Sequence, residues 1–147
     1  MSAKPFVLLV ADDDPEDRSM LVEALSENEL SPELRFVEDG EQLLDYLENR
    51  GEFADTGKYP RPGLILLGLN MPKKDGREAL TEIRSNPKFM DIPIVVLTTS
   101  KAEEDILRSY TLGASSYITK PVTFDGLVAL IRDLGRYWFE VVQLPVR

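Results

Sequence analysis

Three consecutive aspartates, Asp12, Asp13 and Asp14, directly follow an apolar run. Packed carboxylates repel one another and invite a hard divalent cation such as Mg²⁺, which prefers oxygen ligands and keeps several waters. Asp12 and Asp13 suit such a metal corner. Asp14, Glu16 and Asp17 suit a plainer role, an acidic first turn that the helix dipole favours by ~0.3–1 kcal/mol. Thr98 and Lys120 also follow apolar runs, as does the segment Gly68-Leu69-Asn70-Met71. A hydroxyl at Thr98 can bond an anion arriving at a sheet edge. An ammonium at Lys120 would neutralise clustered carboxylates or hold a phosphoryl oxygen. Taken singly, these are an ordinary strand-end threonine and a solvated lysine. As a set at successive strand ends they point to one site. The chain has no cysteine and no histidine. That excludes disulfides, thiolate or imidazole metal sites, histidine triads and phosphohistidine chemistry on this chain.

The elements that must position these groups are legible as alternating patterns. Phe6–Ala11 is a short continuous apolar run, as expected of a strand buried on both faces. Pro15 fits the first turn of a helix carrying Leu21, Ala24 and Leu25 on one face. Leu34–Val37 reads as a second strand, and Glu41–Glu48 as a helix with Leu43, Leu44 and Leu47 inward. From Asn49 to Pro62, glycines and prolines mark a long surface loop, functional, mobile or simply a tolerated insertion. Leu64–Leu67 is the most apolar strand and so the expected centre of the sheet. A third helix carries Ala79, Leu80 and Ile83. Ile92–Leu97 is a fourth strand, and Glu103–Leu112 a fourth helix with Ile106, Leu107 and Tyr110 on one face and Gly113 at its C-terminus. Ser116–Thr119 is the fifth strand. A last helix from about Thr123 to Trp138 carries Leu127, Ile131, Leu134 and Trp138 in one stripe.

Five β–α repeats predict one α/β domain, a doubly wound, five-stranded parallel sheet with helices on both faces. In such folds the site lies at the C-terminal strand ends, near a topological switch point. The 147 residues are 43% hydrophobic and 29% charged, as in a soluble globular protein. The net charge of −9 makes free nucleic acid and anionic membranes poor partners. Met1–Lys4 carries no apolar run of signal-peptide type, and no stretch reaches the ~18–20 apolar residues of a spanning helix. A cytoplasmic location is expected.

The segments VLLVADDDPED (7–17), LILLGLNMPKKDG (64–76), VVLTTS (95–100) and GASSYITKP (113–121) resemble a response-regulator receiver domain of flavodoxin-like fold, over nearly the whole chain. Among receivers the chain is most similar to stand-alone regulators that partner phytochromes, on the long loop before the third strand and the tail YWFEVVQLPVR (137–147). The resemblance implies roles residue by residue. Asp12 and Asp13 would form the Mg²⁺ pair, with the backbone carbonyl of Asn70 as a further ligand. Thr98 would follow the phosphoryl group and Tyr117 would be the aromatic switch. Lys120 would pair with the acceptor or the phosphoryl oxygens, and Pro121 would take a cis-proline position that orients it. A sensor histidine kinase, a phytochrome the candidate, would be the partner. The departure is at Gly68, where the family carries its acceptor aspartate, and Pro62-Gly63 stands where relatives commonly have an acidic residue. Glycine has no carboxylate, so no acyl phosphate can form there, and Mg²⁺ would be held weakly.

Three functions follow. The first is a receiver-fold signalling module, not an enzyme, acting by protein contacts through its last helix and tail. Residues 1–137 would form the receiver and 138–147 a tail. Trp138, Phe139, Val141, Val142 and Leu144 in that tail either fold back on the domain or form an interface, for which a homodimer is the simplest partner. The second is a phosphorelay receiver locked unphosphorylated by Gly68, with or without Gly63. The third is a Mg²⁺-dependent phosphohydrolase using Asp12 and Asp14, although Pro15-Glu16 does not continue that motif. A DNA-binding output is disfavoured by charge and by the lack of residues after the fifth helix.

Overall fold

The computed structural model describes residues 6–141, the side chains of 140 and 141 excepted. Its elements run β1 (Val7–Ala11), α1 (Pro15–Glu27), β2 (Glu33–Val37), α2 (Gly40–Leu47), β3 (Leu64–Leu67), α3 (Gly76–Arg84), β4 (Ile94–Thr98), α4 (Glu103–Thr111), β5 (Ser116–Thr119) and α5 (Phe124–Gly135). Among the described residues the strands form one parallel sheet in the order β2-β1-β3-β4-β5. The chain leaves β1 toward one edge and β3 toward the other. The switch point therefore falls between β1 and β3, where Asp12 and Gly68 begin their loops.

The sheet separates two apolar layers. Ile65, Leu67 and Val96 face Leu43, Tyr46, Leu80 and Ile83 of α2 and α3. Leu64, Leu66, Val95 and Leu97 face Leu21, Leu25, Leu127 and Ile131 of α1 and α5. The period-two alternation of β3 and β4 sends successive side chains into opposite layers.

Helix starts are set by short polar side chains. Asp14 Oδ1 accepts from the Glu16 N–H at 2.9 Å, with Pro15 opening α1. Asp39, Asp75 and Thr123 cap α2, α3 and α5 in the same way. Each such cap contributes about 1 kcal/mol. By contrast Ala102 stands at the N-cap of α4, which has no side-chain cap among the described residues. The face shared by Ile106, Leu107 and Tyr110 is not sealed against the core: Leu107 is 70% and Tyr110 48% exposed, and only Ser109 of α4 is buried. Helical periodicity marks a common face, but the sheet offers α4 little apolar surface, because β5 is an edge strand with no fully buried residue.

The loop from Asn49 to Pro62 is pinned rather than free. It contains a 3₁₀ turn, Gly51–Phe53, and Phe53 is buried. Tyr46, Phe53 and Tyr59 pack with ring centroids 5.0–5.7 Å apart. The Tyr46 hydroxyl donates to the Pro60 carbonyl at 2.8 Å, and Asn49 donates to the carbonyls of Phe53 and Tyr59. Burial pushes the Tyr46 hydroxyl up to about 12.

The last helix ends earlier than its stripe suggests. Beyond Gly135 the chain continues as a π-helical turn, Arg136–Val141. Trp138 and Phe139 fold back onto the α1–α5 layer, Phe139 lying 4.4 Å from the Phe6 ring. Val142 and Leu144 lie outside the described residues. Among the described residues, no helix is long and apolar enough to cross a membrane.

Candidate functional site

The sheet ladder holds the site beyond the strand ends. The Asp12 N–H donates to Val37 O at 3.0 Å, Gly68 N–H to Ala11 O at 3.0 Å, and Lys120 N–H to Thr98 O at 2.6 Å. Each of these residues follows its strand yet keeps a ladder hydrogen bond. Asp12, Asp13, Gly68, Asn70, Thr98 and Lys120 consequently line one cleft. The loop after β3 returns tightly, with the Gly76 N–H donating to Leu69 O at 2.8 Å. A Cβ on Gly76 would run into the Gly68 carbonyl, so this close approach needs glycine.

Lys120 dominates the electrostatics. Its Nζ donates to Asp12 Oδ2 at 3.0 Å and to Asp17 Oδ2 at 2.9 Å. Burial pulls the ammonium down, but the hydrogen bonds to Asp17 and Asp12 outweigh it and hold Lys120 above the usual lysine range. Asp17 is a member of the site that the sequence reading assigned to the helix dipole. Side chains on a helix lean toward its N-terminus, which carries the Asp17 carboxylate back over the first turn of α1 to Lys120. Both oxygens of Asp12 are engaged, since Oδ1 accepts from the Asp14 N–H at 2.9 Å. Asp13 is exposed at the mouth. Asp14 lies outside the cleft and spends its carboxylate on the helix cap, away from the role a phosphohydrolase would need.

Thr98 is buried at the end of β4, 3.5 Å by its Oγ1 from the Ser100 N. Tyr117 is half-buried, and its hydroxyl donates to the Ser100 carbonyl at 3.0 Å. Ser100 Oγ donates to Asp105 Oδ2 at 2.7 Å, and Arg77 Nη2 to Asp105 Oδ1 at 2.8 Å. Those bonds, Ser100 first and then Arg77, hold the Asp105 carboxyl below the usual range. Ser100, Asp105 and Arg77 thus join Tyr117 to the start of α3, a link with no signal in the sequence because its members are distant in the chain. The cis-proline expectation is corrected: among the described residues no peptide bond is cis, so Lys120–Pro121 is trans. Trans is the lower-energy form of an X–Pro bond by about 0.5–1 kcal/mol, and Lys120 reaches both aspartates from it.

Among the described residues no three acidic groups converge as a metal cluster requires. What remains for a hard cation is oxygen chemistry at two carboxylates, Asp12 and Asp13, with Asn70 beside them. The donors fit Mg²⁺ in kind, though Lys120 already engages Asp12.

A parallel sheet with this strand order, carrying acidic, hydroxyl and lysine groups at three of its strand ends, is the architecture of receiver domains. The family model of the response regulator receiver domain matches residues 8–132, and the chain belongs to that family. Over 144 residues it is 40% identical to the response regulator Rcp1 of Synechocystis sp., covering 98% of this chain and 96% of the relative. Its fold matches the phosphorylated cyanobacterial phytochrome response regulator RcpA with a TM-score of 0.89 at 38% identity, over 97% of this chain and all (100%) of that one. It matches the Mn²⁺-bound form of Rcp1 with a TM-score of 0.87 at 40% identity, over the same shares, 97% and 100%.

Proposed function

We propose that this receiver has glycine at the phosphoacceptor position and signals without aspartyl phosphorylation. The observation that carries the reading is the placement of Gly68 in a cleft with Asp12, Asp13, Thr98 and Lys120. A carboxylate there would face Lys120; without one, Lys120 is bonded to Asp12 and Asp17 instead. An incoming phosphoryl group would find a neutralising ammonium and a hydroxyl but no nucleophilic oxygen at position 68. The protein is not an enzyme in this reading. Mg²⁺ would bind weakly through Asp12, Asp13 and the Asn70 carbonyl.

The likeness to RcpA supports a phytochrome-type sensor histidine kinase as partner, in the cytoplasm. Output would pass through protein contacts, a homodimer being the simplest, since the charge of −9 disfavours nucleic acid and membrane surfaces.

The test is phosphoryl uptake from a small phosphodonor with Mg²⁺, read by intact mass on this chain and on Gly68→Asp. The expected result is no change on the chain and one phosphoryl group on Gly68→Asp. Among the described residues a Cβ at position 68 meets only Ala11 O, at 3.2 Å, which a slight shift accommodates. Uptake by the unsubstituted chain would overturn the reading and make Asp13 and Asp12 the first acceptors to examine. Failure of both proteins would mean that more than the acceptor has been lost.

A further inference from the structure

Beside the cleft, a cavity of about 230 Å³ opens between α1 and the start of α5. Its walls are apolar: Val10, Leu21, Leu66, Leu97, Phe124 and Leu127. Gly68 borders it. Leu64 and Leu66 point into the α1–α5 layer, whereas Ile65 and Leu67 point away. The same alternation aims position 68 into the cavity, so the missing side chain leaves it open. Packing agrees. Leu66, Leu97 and Leu127, which line the cavity, retain 3%, 6% and 7% exposure, whereas Leu67 beside Leu66 in the same strand retains 0%.

The mouth is polar and balanced. Asp12 and Asp17 oppose Arg18 and Lys120 around it, so its formal charges cancel. An ammonium has three N–H groups. Two of those on Lys120 go to Asp12 and Asp17, and the third meets no protein acceptor among the described residues. An apolar cavity of about 150 Å³ is large enough to bind benzene. This one is larger and has an unused N–H of Lys120 at its edge.

We propose that this cavity is a binding site for a compact, neutral ring molecule of cresol to indole size bearing one hydrogen-bond acceptor. The ring would lie against Leu66, Leu97 and Leu127, and the acceptor would take the third N–H of Lys120. Ligand pockets have this composition, an apolar lining with a few placed polar groups. Because the charges around the mouth balance, neither a carboxylate nor an ammonium gains a net attraction there to offset its desolvation in an apolar cavity. The site is independent of the phosphorylation reading, because it needs Lys120 and an open position 68 but no phosphoryl transfer.

The test is titration of the methyl-labelled chain with p-cresol, with benzoate, benzylamine and toluene alongside. Saturable p-cresol shifts on the methyls of Leu66 and Leu127 are expected, with weaker toluene binding and none by the charged probes. Leu127→Trp and Gly68→Leu, each checked for folding by circular dichroism, should weaken p-cresol by roughly tenfold or more, as a filled pocket does. Shifts elsewhere, tighter binding of benzoate or benzylamine, or binding that survives a folded cavity-filling variant would overturn the proposal. So would no saturable shift of the Leu66 and Leu127 methyls up to the solubility of p-cresol; this arm needs no variant.

Discussion

On the α2–α3 side of the sheet, Leu67, Leu80 and Ile83 are wholly sealed, and the loop beyond α2 is bolted down by the Tyr46 hydroxyl and the Asn49 amide. On the α1–α5 side, leucines of the same kind line an opening whose edge is charged. Leu66 and Leu67 are neighbours in one strand and differ only in which way they point. The difference teaches that the residue types of a strand set its burial, while the spacing of the helices over it decides whether that burial is complete. The charged groups need water and room at the strand ends, and the layer that serves them is the one left open.

Core truncations should break or sharpen this contrast most. Leu80→Ala in the sealed layer is expected to cost about 4 kcal/mol, and Leu127→Ala on the cavity wall about 2 kcal/mol, by urea denaturation. Equal losses would mean that the cavity closes in solution. Lys120→Ala should cost about 2 kcal/mol, because it leaves Asp12 and Asp17 facing one another without a shared cation. Since its folded pKa is raised, the Lys120 contribution is complete at neutral pH and is lost only as pH rises above about 10. A loss already evident at pH 8 would contradict the ion pairs.

Tyr46→Phe should cost about 1 kcal/mol by leaving the Pro60 carbonyl unpaired. The Tyr46 hydroxyl ionises at about 12 in the fold but near 10 in an unfolded chain. Its share of stability is therefore full below about pH 10 and falls as pH rises toward 12, and the Phe variant should show a shallower decline. Smallest of all, Ser109→Ala should move stability by no more than about 0.5 kcal/mol, toward stabilisation, because the buried Ser109 Oγ has no hydrogen-bond partner among the described residues. A clear loss would reveal a bonded water at that hydroxyl.

The β–α order and all five strands were legible in the sequence, because apolar runs of strand length alternate with helical stripes and turn residues punctuate them. Asp12, Asp13, Asn70, Thr98 and Lys120 were legible as a set because a parallel sheet gathers its C-terminal strand ends. Asp17 was not, because an acidic residue in a first turn already has an explanation in the helix dipole. The exposure of Leu107 and Tyr110 was not, because periodicity carries no information about what lies opposite. Nor was the trans Lys120–Pro121 bond, because the cis form was expected from resemblance rather than from any local signal.

The ladder bonds at Asp12, Gly68 and Lys120 join backbone to backbone, so they are indifferent to which side chain each position bears. Chemistry and scaffold are thereby separable. Position 68 behaves as a socket, its amide anchored to Ala11 whatever is plugged in. On the function proposed for position 68, a lineage built this way would lose or regain its reactive group by one substitution without reassembling the rest, and a silent receiver and a responsive one would be neighbours in sequence space.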